Sequence, residues 1–120
     1  MFGDAGNGSS GDRWQPAIDV FETDEALVVR AEIPGLRGEH VKVRIDGAVL
    51  HISGVRTVPK EDGVRRLHRM EIAFGPFERS VRIQTPFDKD SVSAHLEDGF
   101  LRVVLPKRVP QRRRVEVETE

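Results

Sequence analysis

Apolar and polar residues alternate with a period of two along most of the chain after Trp14, the pattern of half-buried β-strands. The clearest example is residues 41–46, VKVRID, whose apolar side chains share one face of a strand while its charges share the other. Weaker alternation marks four further segments: Ile18 and Val20; Leu27, Val29, Ala31 and Ile33; Ala48, Leu50 and Ile52; Val92, Ala94 and Leu96. The pattern predicts a nearly all-β domain with six to eight short strands.

One segment is ambiguous between helix and strand. In DKDSVSAHL, residues 88–96, Val92 and Leu96 have the i, i+4 spacing of a helix face. The serines and β-branched residues favour a strand instead.

Turn signals between the alternating runs indicate antiparallel pairing. Pro34-Gly35 has the residues of a type II turn, because proline sets φ at the first corner and glycine permits positive φ at the second. Asp46-Gly47 and Asp98-Gly99 each separate two alternating runs and predict tight hairpins. Short strands joined this way over a single small domain favour a sandwich of two sheets.

The connection between Gly54 and Phe77 is much longer than a hairpin requires. Its first part is polar, but Leu67, Met70 and Ile72 are too apolar for a purely solvated loop. We therefore expect this segment to pack against something, for example as an edge strand on another subunit.

Composition narrows the function classes. The chain has 120 residues, 38% of them hydrophobic and 32% charged, with a net charge of −1 and no cysteine. Near-zero charge argues against nucleic-acid binding, and the absence of thiols excludes disulfides and thiolate sites. No apolar run is long enough for a membrane span, so we expect no membrane partner and a cytoplasmic location. Residues 1–13 are rich in glycine and serine and predict a flexible arm.

Arg79 stands out on physical grounds alone. It shares a face of its predicted strand with Phe77, Val81 and Ile83. A guanidinium on an apolar face needs a carboxylate or carbonyl partner, because an unpaired buried charge is costly. The alternative is that the strand twists and the side chain reaches water.

The sequence does not predict an enzyme. The four histidines, His40, His51, His68 and His95, lie in separate segments without metal-ligand spacing. Ser91, His95 and Asp88 could form a triad only on paper, because no nucleophile elbow or oxyanion loop accompanies them. No phosphate-binding glycine loop is present, so no cofactor is expected.

Four fragments, in this order and spacing, resemble the small heat-shock proteins, which are built on the alpha-crystallin domain. They are PAIDVFETDEALVVRAEIPGL, VKVRIDGAVLHISGVR, GPFERSVRI and AHLEDGFLRVVLPK. The third matches the family pattern G-x-F-x-R, and the fourth matches A-x-x-x-(N/D)-G-x-L followed by Leu-Pro-Lys. The resemblance divides the chain into an arm (1–13), an alpha-crystallin domain (14–107) and a C-terminal extension (108–120).

The resemblance implies an immunoglobulin-like β-sandwich that dimerises by exchanging a strand from the long loop and assembles further through its ends. It also implies ATP-independent binding of unfolding client proteins, which prevents their aggregation. The alternative is a co-chaperone or scaffold module of similar fold that binds one folded partner. Such a monomeric module would need neither the long loop nor the paired valines of the C-terminal segment.

The resemblance further implies three sets of site residues. Arg79 occupies the position of an interface arginine, and the exchanged strand corresponds to Leu67, His68, Arg69, Met70, Glu71 and Ile72. A loop folded back on its own subunit is the alternative for that segment. A hydrophobic groove between the two sheets involves Val41, Val43, Ile45, Val92, Ala94 and Leu96, although most of these side chains would serve as core in any sandwich.

The third set is at the C-terminus. Val115-Glu116-Val117 matches the family's I/V-x-I/V motif, which docks into the groove of a neighbouring subunit. In an extended segment both valines point the same way while Glu116 faces water. The arginines 112–114 either steer the segment to acidic groups or form a solvated tether.

Overall fold

The computed structural model describes residues 13–109 and 114–120. Within them the chain forms seven strands, β1 Ile18–Glu22, β2 Ala26–Glu32, β3 Val41–Asp46, β4 Val49–Arg56, β5 Gly75–Arg82, β6 Ser93–Glu97 and β7 Phe100–Pro106. Two short 3₁₀ helices, Gly38–His40 and Lys89–Ser91, precede β3 and β6. The predicted all-β class is confirmed. No helix in the described part of the chain is long and apolar enough to cross a membrane.

The strands form two antiparallel sheets, one with the order β1-β2-β7-β6 and the other with the order β3-β4-β5. Alternate residues of each sheet face the other sheet and form one core, as in an immunoglobulin-like sandwich. Val29, Val103 and Leu105 of the larger sheet, and Leu50 and Phe77 of the smaller, are fully buried. Each such side chain stabilises the fold by roughly 1.5–3 kcal/mol.

The two predicted hairpins differ in detail. Glu97 pairs with Phe100, so the loop is Asp98-Gly99, and both residues have positive φ (53° and 83°), as a type I′ turn requires. In the other hairpin Asp46 is the last strand residue and pairs with Val49. The turn therefore consists of Gly47 (φ 61°) and Ala48, one residue later than predicted, with glycine at the first corner as in a type II′ turn.

Val92 lies outside the strand predicted for it. The side chain of Asp88 accepts hydrogen bonds from the Asp90 amide (3.1 Å) and the Ser91 hydroxyl (2.8 Å). These local bonds compete with an extended backbone and hold residues 89–91 in a 3₁₀ turn. Strand β6 consequently begins at Ser93, and the half-buried Val92 packs on the core from just before it.

Candidate functional site

Arg79 lies on the inner side of β5, as the sequence pattern predicted. Phe77 and Ile83 on the same side are buried, whereas Arg79 itself is half-buried. Its Nη1 donates a hydrogen bond to the carbonyl oxygen of Pro16 at 3.3 Å, which supplies the partner that a guanidinium in this position needs. Pro16 is itself buried two residues before β1, so the bond ties β5 to the segment leading into β1.

The chain before β1 also covers the start of the β5 edge. The Trp14 amide donates to the Pro76 carbonyl (3.1 Å), and the Glu78 amide donates to the Trp14 carbonyl (3.2 Å). The Trp14 ring packs against Phe77 with centroids 5.2 Å apart, and its Nε1 donates to the Gly75 carbonyl (3.1 Å). The start of this edge is therefore occupied by the protein's own chain.

Arg56 is a structural residue that the sequence pattern did not single out. Its Nε and Nη2 donate to the carbonyl oxygen of Ala73 at 3.0 and 2.6 Å, and its Nη1 donates to that of Pro34 at 3.1 Å. The guanidinium also stacks over the rings of Trp14 and Phe74, 4.3 and 5.4 Å from their centroids. Burial lowers the pKa of Arg56 below its usual value, because desolvation disfavours the charged form.

The contacts of Arg56 fix both ends of the long loop, residues 57–74, because Arg56 ends β4 and Ala73 lies just before β5. The sequence contained a signal for this role. Arg56 has the same strand parity as the buried Leu50 and Ile52, which is the same sidedness argument that singled out Arg79.

Between these fixed ends the loop projects its apolar side chains into solvent. Leu67 is 59% exposed and Ile72 is 68% exposed. Residues 67–72 form no strand within this single chain, and Arg69 pairs only locally with Glu71 at 2.8 Å. The apolar side chains of this segment thus lie in water, without a packing surface in the described part of the chain. Its exchange into a second subunit stays a prediction.

The six predicted groove residues lie on or beside the edge strands β3 and β6, one in each sheet. Trp14, which lies just before β1, pairs with Phe77 of β5, so the β1 and β5 edges lie on the same side of the sandwich. The other two edge strands, β3 and β6, therefore lie together on the opposite side. Five of the six are half-buried and pack on the core, as for ordinary inner-face residues: Val41, Val43, Ile45, Val92 and Leu96. Ala94, which has the smallest side chain of the six, is exposed.

The two valines of the C-terminal segment are almost fully accessible. Val115 is 76% exposed and Val117 is 89% exposed. Residues 110–113, including the first two of the three arginines, lie outside the described residues, as does the predicted arm apart from Arg13. Docking of the valines into a groove stays a prediction.

The histidines are not assembled into a catalytic or metal site in the described residues. His51 Nδ1 lies 2.8 Å from the Ser80 hydroxyl, and His95 lies 3.8 Å from Glu97. Ser91 donates to Asp88 and not to His95, so the triad considered from the sequence does not form. No group of three or more His, Asp or Glu side chains that could hold a metal ion occurs in the parts of the chain that are described.

Comparisons with known proteins agree with this architecture. The sequence model of the Hsp20/alpha crystallin family matches residues 19–118. An 18.1 kDa class I heat shock protein of Medicago sativa is 47% identical over 91 residues, which cover 75% of this chain and 64% of that protein. An 18.2 kDa class I heat shock protein of the same plant is 45% identical, with 58% of its length covered. The chain thus spans only part of the length of these relatives.

Solved structures show the same fold. A small heat-shock protein from Xylella fastidiosa, described as having a distinct high order structure, has a TM-score of 0.77 at 28% identity, with 89% of this chain and 99% of that chain covered. Heat shock protein 16.0 from Schizosaccharomyces pombe has a TM-score of 0.72 at 31% identity, with 88% and 98% covered. Because the family model matches residues 19–118 and the fold is the same sandwich with free edges, the chain belongs to the Hsp20/alpha-crystallin family, the small heat-shock proteins.

Proposed function

We propose that the protein is an ATP-independent chaperone that binds unfolding proteins and prevents their aggregation. The observation that carries the proposal is the contrast between a well-packed sandwich and the apolar side chains it leaves in water. Ile72, Val115 and Val117 are each more than two-thirds exposed. Exposed apolar groups of this kind bind other apolar surfaces without strong sequence specificity, so they suit association with further copies of the chain and, where copies separate, capture of many clients. The kinship with heat shock proteins supports the same role.

The proposed basic unit is a homodimer formed by strand exchange. The β5 edge is partly covered by Trp14, and β3 and β6 border the groove, which leaves β1 as the edge available for a new strand. We place residues 67–72 of one subunit along β1 of the other, joined by main-chain hydrogen bonds. Met70 and Ile72 share a face in an extended segment and would cover Val20 of β1, which is 47% exposed in the single chain.

Arg79 supports this interface by holding the segment that leads into β1. Its hydrogen bond to the Pro16 carbonyl positions the chain two residues before the strand that would receive the partner. The proposed interface role rests on this bond to the segment before β1 and requires no direct contact with the partner.

Larger assemblies would form when Val115 and Val117 of one dimer enter the groove between β3 and β6 of another. The proposal includes unfolding clients and further copies of the chain as partners. It includes no nucleic acid, membrane or cofactor and no catalytic activity, in keeping with the balanced charge. The proposed location is the cytoplasm, in keeping with the lack of cysteine.

The test is suppression of aggregation. A heat-labile client is warmed with an equal mass of the protein, without nucleotide, while light scattering is followed, and bovine serum albumin at the same mass serves as the control. We expect the protein to reduce the scattering of several unrelated clients and albumin to leave it unchanged. Unaltered scattering for all clients would refute the proposed function.

A further inference from the structure

We propose that the charges of the C-terminal segment fix the direction and register in which it docks. Residues 114–118 of one copy lie antiparallel along the free edge of β3 in another copy. The register brings three opposite-charge pairs together, Arg114 with Asp46, Glu116 with Arg44 and Glu118 with Lys42. The inference rests on the proposed docking of Val115 and Val117, and it names the residues that decide how they dock.

The outer face of β3 carries an asymmetric row of charges. Along the strand the outward side chains are Lys42, Arg44 and Asp46, which gives the order positive, positive, negative. All three are exposed, and in the described part of the chain none of them takes part in a salt bridge. Because β3 is an edge strand, the side of this row away from β4 is open to an added strand.

The C-terminal segment carries the complementary row. When Val115 and Val117 point toward the core, the outward positions are Arg114, Glu116 and Glu118, in the order positive, negative, negative. An added strand continues the alternation of its sheet, so its outward side chains lie beside those of β3, at about 4.5–5.5 Å between opposed Cβ atoms. The two charge rows therefore come within reach whenever the valines face the groove.

Only one arrangement satisfies all positions. The antiparallel register above matches three opposite charges and also sets Val115 opposite Ile45 and Val117 opposite Val43. The parallel register that faces Glu116 with Arg44 sets Arg114 against Lys42 and Glu118 against Asp46, which are two like-charge pairs. Sliding the antiparallel segment by two residues in one direction faces Glu116 with Asp46 and brings the polar Thr119 opposite Val43. Sliding it in the other direction faces Arg114 with Arg44, a like-charge pair.

Strand β6, on the other side of the groove, has fewer charged side chains available to pair with the C-terminal segment. Its outward residues are Ser93, His95 and Glu97, and the last two already lie within 3.8 Å of each other. The unpaired charges are on β3, which is why β3 is the strand assigned to the segment.

Exposed charge pairs contribute modestly, each changing a dissociation constant by about 1.4- to 5-fold. The valines therefore supply the affinity, and the charges select one orientation among several that the valines alone would accept. Like charges directly opposite weaken binding by a similar factor. A wrong orientation therefore loses opposite-charge pairs and also gains like-charge pairs.

The absence of cysteine in the chain allows a direct test by disulfide trapping. Opposed residues of an antiparallel pair have Cα atoms about 4.5–5.5 Å apart, within the range a disulfide spans, whereas residues two positions away lie beyond it. Glu116→Cys is combined with Arg44→Cys, and the matched combinations use Lys42→Cys or His95→Cys instead. After mild oxidation, we expect intersubunit cross-links on non-reducing gels for residues 116 and 44 and their loss in the other two variants.

Preferential cross-linking to residue 42 would indicate a different register, and to residue 95 a different strand, and either overturns the inference. Equal cross-linking in all three variants, or none, overturns it as well. A charge swap is the second measurement: Arg44→Glu should weaken assembly about two- to fivefold, and adding Glu116→Arg should restore it, whereas adding Glu118→Arg should not.

The failure of this inference is distinguishable from failure of the docking proposal. Replacing Val115 and Val117 by serine tests docking itself, through the mass of the assembly. A smaller assembly in that variant, together with a cross-link pattern other than the expected one, rejects the register alone. An unchanged mass rejects the docking on which the register depends.

Discussion

The guanidinium of Arg56 lies 4.3 Å from the centroid of the Trp14 ring, sandwiched between the segment that enters β1 and the loop that enters β5. The same group donates two hydrogen bonds to Ala73 and one to Pro34. One side chain thus connects the first described segment, the Pro34-Gly35 turn and the end of the long loop. The loop that is proposed to reach a second subunit is anchored through this contact.

Replacing Arg56 by alanine should destabilise the domain by about 1–3 kcal/mol, because the Ala73 and Pro34 carbonyls lose a charged donor and the Trp14 ring loses its cation. Arg56→Lys is the matched control, since it keeps the charge but lacks the planar fork that donates twice to Ala73, and it should recover only part of the loss. Urea unfolding measures both changes. An alanine variant as stable as the parent would contradict the anchoring role.

Gly54 is the position at which a single methyl group should be least tolerated. A Cβ placed there would lie 2.7 and 2.8 Å from Cζ and Cε2 of the buried Phe77, and it would also collide with the backbone oxygen of His40. Since Phe77 is buried on all sides, Gly54→Ala should cost about 1–3 kcal/mol or more in unfolding free energy.

The control for Gly54 is Gly38→Ala. A Cβ at Gly38 has no neighbour within 4 Å, and φ at Gly38 is not positive. Thermal unfolding should show a lower midpoint for Gly54→Ala and little change for Gly38→Ala. Equal midpoints for the two variants would contradict the tight packing of Phe77 and the His40 carbonyl against Gly54.

The period-two pattern sufficed for the sandwich because each strand must present one apolar face to the core. The sequence placed Val43 and Arg79 on inner faces, and the structure confirms both positions. Local features shifted the ends of two elements: the side-chain bonds of Asp88 delay β6 beyond Val92, and Gly47, with its positive φ, moves a turn by one residue. A hydrophobicity pattern contains neither local hydrogen bonds nor the backbone conformation of a glycine.

The anchoring of the long loop by Arg56 was harder to predict from the sequence. The partners of Arg56 come from positions 14, 34 and 73, and only the folded topology brings these together. The parity of Arg56 on β4 could have indicated a partly buried charge, but not which carbonyl groups would accept from it. The receptors proposed for residues 67–72 and for the two C-terminal valines would lie on other copies of the chain, so neither the sequence pattern nor the packing of one chain defines them.

Arg79→Ala should weaken the proposed dimer roughly tenfold, because the Pro16 carbonyl beside β1 loses its donor and the segment before the receiving strand is held less firmly. Arg82→Ala is the matched control. Arg82 lies on the same strand but faces outward and is exposed, so its removal should leave the dimer constant unchanged. Sedimentation equilibrium gives both constants, and equal effects of the two changes would show that the inner-face position is irrelevant to dimerisation.

Replacing Val115 and Val117 together by serine should reduce the assembly toward a dimer, because hydroxyl groups in place of the apolar side chains remove most of the surface that the groove would bury. Val109→Ser is the control, because Val109 is 78% exposed and precedes the docking motif, so its loss should not change the assembly. Multi-angle light scattering measures the masses. A double variant with the parent's mass would show that subunits associate through another surface, whereas a dimer that still suppresses client aggregation would place client binding on the sandwich and its loop.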